Sequence, residues 1–413
     1  MRMRALLPYF SALVLFACER DGDGRDLDTA NEEELLQMEL VASDLPPSST
    51  NAYADNPEAA ALGQQLFFDQ RLSRTGEVAC ASCHDPNEGF SDPRPRSEGV
   101  EGQLGARHAM PVTAAAMQTF FLWDGGADSL WLQPLMALEN PKEMDFTRNE
   151  VAHFIAEHYR TDYEAVFGPL PDLSDLPARA KPDSAEWQSM TDAQKDVAQR
   201  IFSNVGKSIE AYERKLLCTE TRFDQWVRGE IELTDEETSG AAAFMQEGCV
   251  RCHSGKAFSD GEFHNLGLSE NAQDVGRERA IPALLANPFN GAGSYSDDPA
   301  AGAAKLASMS GETGTRGAFR TASLRGAGQR RFFGHTGEHE TLEGFIRNTY
   351  RRGGRGGDND GQGDNDGQGN NGAQVGQLDP LLDGVNVGRN VDDLVAFIRT
   401  LDCPAPPSSL LEP

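Results

Sequence analysis

Two short stretches constrain this chain more than anything else in it: VACASCHDP, Val78 to Pro86, and GCVRCHSG, Gly248 to Gly255. Each holds two cysteines spaced by two residues with a histidine directly after the second, and 169 residues separate Cys80 from Cys249. Cys-x-x-Cys-His is the spacing that attaches a c-type haem: each thiol adds to one vinyl group, and the adjacent imidazole is delivered to one face of the iron. Zinc is the rival, with four thiolates or mixed ligands closing a tetrahedron. It needs no histidine after each second cysteine, and its half-sites usually lie much closer in sequence. Two covalent haems are therefore expected, one on Cys80 and Cys83 and one on Cys249 and Cys252, with His84 and His253 as iron ligands.

Three of the seven cysteines remain. Cys18 follows Leu15-Phe16-Ala17 at the end of a mostly apolar run, Ala5 to Ala17, which is preceded by Arg2 and Arg4. That run is too short for a permanent membrane span, so residues 1–18 read as an export signal with a lipoprotein-type cleavage box. A cleaved signal without lipid is the alternative. The expected location is extracytoplasmic, periplasmic or on the outer membrane, with a lipid anchor as the sole membrane attachment. In that oxidising setting Cys218 and Cys403 are candidates for a disulfide or, alternatively, two separate buried thiols.

With 413 residues and 38% hydrophobic content, the chain has enough apolar material for two domains. Its 65 acidic against 37 basic side chains leave a net charge of -28, which repels nucleic acid and anionic lipid and favours a basic partner. Residues 19–55 are acidic and contain Pro and Ser, the composition of a flexible linker. Asn56 and Pro57 open a helix carrying Leu62 and Leu66. Helical spacing recurs from Val151 to Phe167, from Val197 to Leu216 and from Val391 to Leu401, and Thr234 with Glu237 forms a capping box. No stretch alternates at period two, so the class is mainly α. The segment 353–377, with its tandem DNDGQG, reads as a surface insertion without the distal Glu of an EF-hand.

Several motifs in order carry a family resemblance: LFFDQRLS before CASCHDP, then FLWDGGADSLWLQP and NPKEM, then GCVRCHSGKAFSDGEFHNLG and SLRGAGQRRFFGHTGEHETL. From about Asn56 to Leu401 the chain resembles the bacterial di-haem cytochrome c peroxidase and MauG family. The resemblance implies two cytochrome c-like haem domains packed face to face, an N-terminal peroxidatic one over 56–228 and a C-terminal electron-transfer one over 229–405. It also implies roles. Trp123 of WDGG matches the tryptophan between the haems; Gln133 and Glu143, each ten residues further on, match the distal residues above the N-terminal haem. A carboxylate suits that place because peroxide must lose a proton from one oxygen and receive it on the other before its O–O bond breaks. Arg325 of SLRG matches an arginine that contacts a haem propionate or shapes the interface.

Departures from the family pattern matter as much. SDPRPRSEGVEGQLGAR lacks the histidine that caps the N-terminal iron in resting peroxidases, so an open iron needing no reductive activation is expected. His108, after Arg107, stands where the family has an asparagine beside a calcium ion; with Arg330 and Phe332 at other calcium positions, that ion is in doubt. Counting from His335, the second haem's distal ligand falls at Thr349, but Tyr350 follows in NTYRRGG, similar to the ending of MauG-like members, and is the candidate ligand. Met309 is an outsider. His153, His158 and His339 read as surface or packing residues, and His264 and His335 as lying near the second haem.

Three functions compete. The first is a peroxidase that reduces hydrogen peroxide with electrons from a small cytochrome c or cupredoxin. The second is a MauG-like oxidase acting on a protein substrate, and the third a plain di-haem electron carrier. The resemblance also allows a homodimer.

Overall fold

The computed structural model describes residues 27–268, 272–350, 375–388 and 390–413. Residues 1–18, read from the sequence as an export signal that includes Cys18, and residues 353–374 of the insertion lie outside them. The chain enters through α1 (Thr29–Leu36) and α2 (Pro57–Phe68). At α2 the Asn56 side chain accepts the Ala59 N–H at 2.7 Å, with Pro57 in the first turn. Then follow α3 (Leu132–Glu139), α4 (Arg148–His158), α5 (Arg160–Phe167), the short α6 (Ala185–Ser189) and the long α7 (Asp192–Glu213). The second half holds α8 (Arg222–Val227), α9 (Asp235–Gln246), α10 (Arg277–Leu285), α11 (Pro299–Leu306), α12 (Leu342–Tyr350) and α13 (Val391–Arg399). The strands described are β1 (Phe263–His264) and β2 (Phe319–Arg320), paired antiparallel. The architecture is mainly α.

Two helix crossings organise it, and both close on a glycine. A Cβ on Gly63 of α2 would lie 1.8 Å from the Ser208 carbonyl oxygen of α7, and one on Gly240 of α9 would lie 1.9 Å from the Asp393 carbonyl oxygen of α13. No side chain fits at either place. Around the first crossing Leu62, Leu66, Phe67, Ile209 and Tyr212 form one core; around the second Phe223, Phe244, Phe258 and Phe397 form another. Each helix pair feeds one Cys-x-x-Cys-His turn.

The cores cut across the boundaries drawn from the sequence. Phe223 of α8, placed by sequence in the N-terminal unit, is buried in the second core, while Leu284, Phe289, Leu306 and Met309 pack on the first. Met309, 1% exposed there, lies in the other core from the second motif. The stretch 19–55 is not a free linker either, at least from Leu27 on. Leu35 and Leu40 are fully buried, and the Leu40 N–H donates to Asp224 Oδ1. Acidic neighbours mask these apolar residues in composition, yet α1 turns Leu35 inward onto the second core. Further along, the Arg214 side chain holds Asp55 and the Pro46 carbonyl. Cys218 and Cys403 form a disulfide, joining the segment after α7 to that after α13. No helix among the described residues is long and apolar enough to cross a membrane.

Candidate functional site

Both motifs fold alike. Cys80–Ser82 and Cys249–Arg251 each make one 3-10 turn, closed by His84 N–H to Cys80 O and His253 N–H to Cys249 O, both 2.9 Å. A phenylalanine then turns back through positive φ, Phe90 at 57° and Phe258 at 49°. Such a backbone costs about 1–3 kcal/mol and persists where packing enforces it; both rings are 0% exposed. The turn aims a carbonyl at the imidazole: His84 Nδ1–H donates to Phe90 O at 3.3 Å and His253 Nδ1–H to Phe258 O at 3.0 Å. Nε2 is thereby left as the ligating atom of each ring. Burial holds both imidazoles below their usual pKa, so that nitrogen carries a lone pair. Neither phenylalanine belongs to the motif itself; the available signal was a Phe six and five residues after the two histidines.

The first motif opens into a cavity of about 950 Å³ whose lining includes Cys80, Cys83, His84, Trp123, Gln133 and Glu143. Residues scattered over some sixty positions of sequence thus meet in one space. Burial pushes the Cys83 thiol up to about 11 and Cys249 up to about 12, and raises Cys80 further. Zinc takes thiolates, which this burial disfavours. Neither Cys249 nor Cys252 lines the cavity, so the four sulfurs do not surround one ion. Arg320 and Arg330 also line it, without an ion pair among the described residues; Arg330 Nε has no hydrogen-bond partner, and burial lowers both guanidiniums to about 10. Two thiols, a free imidazole nitrogen and two unpaired cations fit a macrocycle that bears an iron, two vinyl groups and two carboxylates.

Glu143 is held from three sides. Asn140 Nδ2 donates to its Oε1 at 2.7 Å, Val100 N–H donates to its carbonyl at 2.8 Å, and Gly99 lets the two backbones approach, since a Cβ there would lie 2.1 Å from Lys142 O. Burial pushes the Glu143 carboxyl up to about 7, against the lowering effect of Asn140. Gln133 projects into the same cavity from α3. Trp123 sits at the seam of the two halves: its Nε1–H donates to His108 O at 2.8 Å, and Arg320 N–H donates to its carbonyl at 2.7 Å. Its ring lies 6.5 Å from that of His335, which stacks on Phe319 at 4.1 Å. Arg107 bolts the seam, reaching Asp124 at 2.6 Å and Asp274 at 2.7 Å.

Other expected residues take different places. Tyr350, at the end of α12, packs with the second core next to Cys249 and Cys252, and burial raises its phenol pKa. Thr349 Oγ1 is buried without a partner. Arg325 does not face a cofactor: both its side chain and that of Asp224 are 0% exposed, paired at 2.9 Å, and its remaining donors meet the carbonyls of Met38, Lys256 and Cys218. No N–H is left for a propionate, because the guanidinium is consumed in pinning α1 and α8 to the second motif. His108 has Nδ1 on Arg94 O and Nε2 on Ser91 Oγ, which leaves no nitrogen for an iron. His264 lies between Asp260 and Asp379, at 2.8 and 2.7 Å.

Comparison with known proteins agrees with this geometry. The family profile of di-haem cytochrome c peroxidase matches residues 57–232. The methylamine utilization protein MauG of Methylorubrum extorquens is 31% identical over 365 residues, covering 85% of this chain and 88% of that protein. A cytochrome-c peroxidase of Pseudomonas sp. (strain SCT) is 30% identical over 352 residues, covering 84% and 83%. Among solved structures, a MauG-like protein associated with microbial copper homeostasis superposes with a TM-score of 0.59 at 26% identity, covering 90% of this chain and 95% of that one. The diheme peroxidase BthA of Burkholderia thailandensis shares the fold, with a TM-score of 0.58 at 20% identity and coverage of 90% and 92%. The chain belongs to the di-haem cytochrome c peroxidase and MauG family, oxidoreductases that carry two c-type haems.

Proposed function

We propose that this chain is a peroxidase that reduces hydrogen peroxide to water with electrons from a small redox protein, a cytochrome c or a cupredoxin, entering at the C-terminal haem. The observation that carries this reading is the Glu143 carboxyl, tuned to about 7 in the cavity of the first motif and facing the same space as Gln133. Cys80, Cys83 and His84 would hold one haem covalently, and Cys249, Cys252, His253 and Tyr350 the other. Each haem supplies an iron that exchanges electrons with its neighbours. Glu143 takes the proton from one peroxide oxygen and returns it to the other, so that water rather than hydroxide departs; a carboxyl near pKa 7 does both at neutral pH. Gln133 orients the peroxide through its amide. Trp123, fixed by its N–H to the His108 carbonyl, bridges the two halves for electrons. A carrier that only passes electrons has no use for a proton-transfer group in its cavity.

A MauG-like oxidase acting on a partner protein is the second reading, favoured by Tyr350 beside the second motif. A phenolate ligand lowers an iron's potential and favours the storage of oxidising equivalents. The disulfide Cys218–Cys403 supports an extracytoplasmic location. The test is turnover of peroxide with a reduced cytochrome: Glu143→Gln should lower it by about 10²-fold or more. Unchanged turnover removes Glu143 from the mechanism, and peroxide-dependent modification of a co-purified protein without cytochrome turnover selects the second reading.

A further inference from the structure

Resting on the peroxidase reading above, we propose that Glu213 and Glu210 form a proton path from the surface at Ser48 to the cavity of the first motif, with Glu213 at its inner end. Glu213, in the last turn of α7, is 2% exposed and lines the cavity. Its carboxyl makes no hydrogen bond or ion pair with any described residue, and its Oε2 is fully buried. A buried carboxylate without a partner is strongly disfavoured, so this group carries a proton. Burial and the neighbouring Glu210 both act in that direction, holding it well above the usual carboxylate range.

Glu210 lies one turn earlier on α7, also 2% exposed, and points away from the cavity toward the segment before α2. Its Oε2 accepts from Asn51 Nδ2 at 3.0 Å, and the half-buried Ser48 side chain lies beside the same carboxyl. The groups facing the pair are few. Cys80 and Tyr212 lie beside Glu213, while Arg214, Lys207 and Lys305 surround Glu210. Glu213 sits on α7 beside the buried Ile209 and Tyr212, and a carboxyl that meets no partner there does nothing for packing that leucine would not do better.

Chemistry supplies the need. Reduction of one peroxide to two waters consumes two electrons, which come from the donor protein, and two protons. Glu143 only moves a proton from one peroxide oxygen to the other, so the two consumed protons enter from outside. Glu213 releases its proton to the cavity and recovers one from Glu210, which is refilled by way of Ser48.

The test uses the holoenzyme. Glu213→Gln keeps size and neutral hydrogen bonding but carries no transferable proton. Haem content should stay as in the parent, while peroxide turnover with reduced cytochrome falls by about 10²-fold and its solvent deuterium isotope effect rises. Glu210→Gln should move both quantities in the same direction, and it carries the kinetic test if Glu213→Gln fails to load haem. Parent-like turnover and isotope effect in the loaded variants overturn the path. A second readout is independent of turnover: the infrared spectrum should contain a carbonyl band of a protonated carboxyl that shifts in D2O and vanishes in Glu213→Gln. If no such band is lost, Glu213 holds no exchangeable proton and the proposal fails. Absence of peroxide turnover in the parent sinks the peroxidase reading, and the infrared band then still decides the state of Glu213.

Discussion

Glu143 shows how one side chain pulls rate and stability in opposite directions. Its carboxyl is pushed from 4.5 to about 7 by burial, so the folded protein binds a proton that the unfolded chain has released between those values. The associated stability is fully present below pH 4.5 and is lost as pH rises through about 7. Thermal unfolding of the holoenzyme should therefore find Glu143→Gln melting above the parent at pH 8, with the gap closing on acidification. The peroxide rate should run the other way, rising in the parent as the carboxyl deprotonates to act as a base and losing that dependence in the variant. Glu143 and Gln133 were marked in the sequence only through the family resemblance, and both line the cavity of the first motif. Their tuning was not marked, because Asn140, Gly99 and Val100 set it through contacts in space. Arg325 makes the reverse case: its motif matched, but Asp224 and the carbonyl of Met38 claim all its donors.

At the scale of elements, the starts of α2, α7 and α9 follow from capping residues, Asn56, Thr191 and Thr234, whose side chains accept the N–H of residues three further on. The periodic run Val151 to Phe167 is in fact two helices, α4 and α5, parted at Tyr159. What no periodicity revealed is how closely the pairs approach. Gly63 and Gly240 let backbone touch backbone, and Gly240→Ala should force α9 off α13 with a loss of about 1–3 kcal/mol by chemical denaturation. An unchanged midpoint would mean the crossing tolerates a methyl group. The sequence also hid α1: its acids read as solvated linker, whereas Leu35 and Met38 cover the second core.

Across the whole molecule, charge sets what approaches and what binds. A net charge of -28 steers a basic donor, so the association rate with a basic cytochrome should fall steeply as salt is raised, measured by stopped-flow mixing. Salt-independent association would point to an apolar docking patch instead. Within the seam, the unpaired guanidiniums of Arg320 and Arg330 already supply positive charge, and together with His108 they disfavour a divalent cation. Metal analysis of the purified holoprotein should find iron from two haems and no stoichiometric calcium. One calcium per chain would show that carbonyl oxygens near the seam outweigh these cations.

The sequence by itself determined the turn of each motif: two thiols and an imidazole within five residues fold alike at both places, because their geometry is local to the backbone. It also determined the mainly helical class, which follows from caps and periodicity along the chain. Only the tertiary structure decided which acids are buried, which arginines lack an ion pair and which segments cover each core. Those properties depend on desolvation and on partners brought from distant positions, and neither is written in the spacing of neighbours.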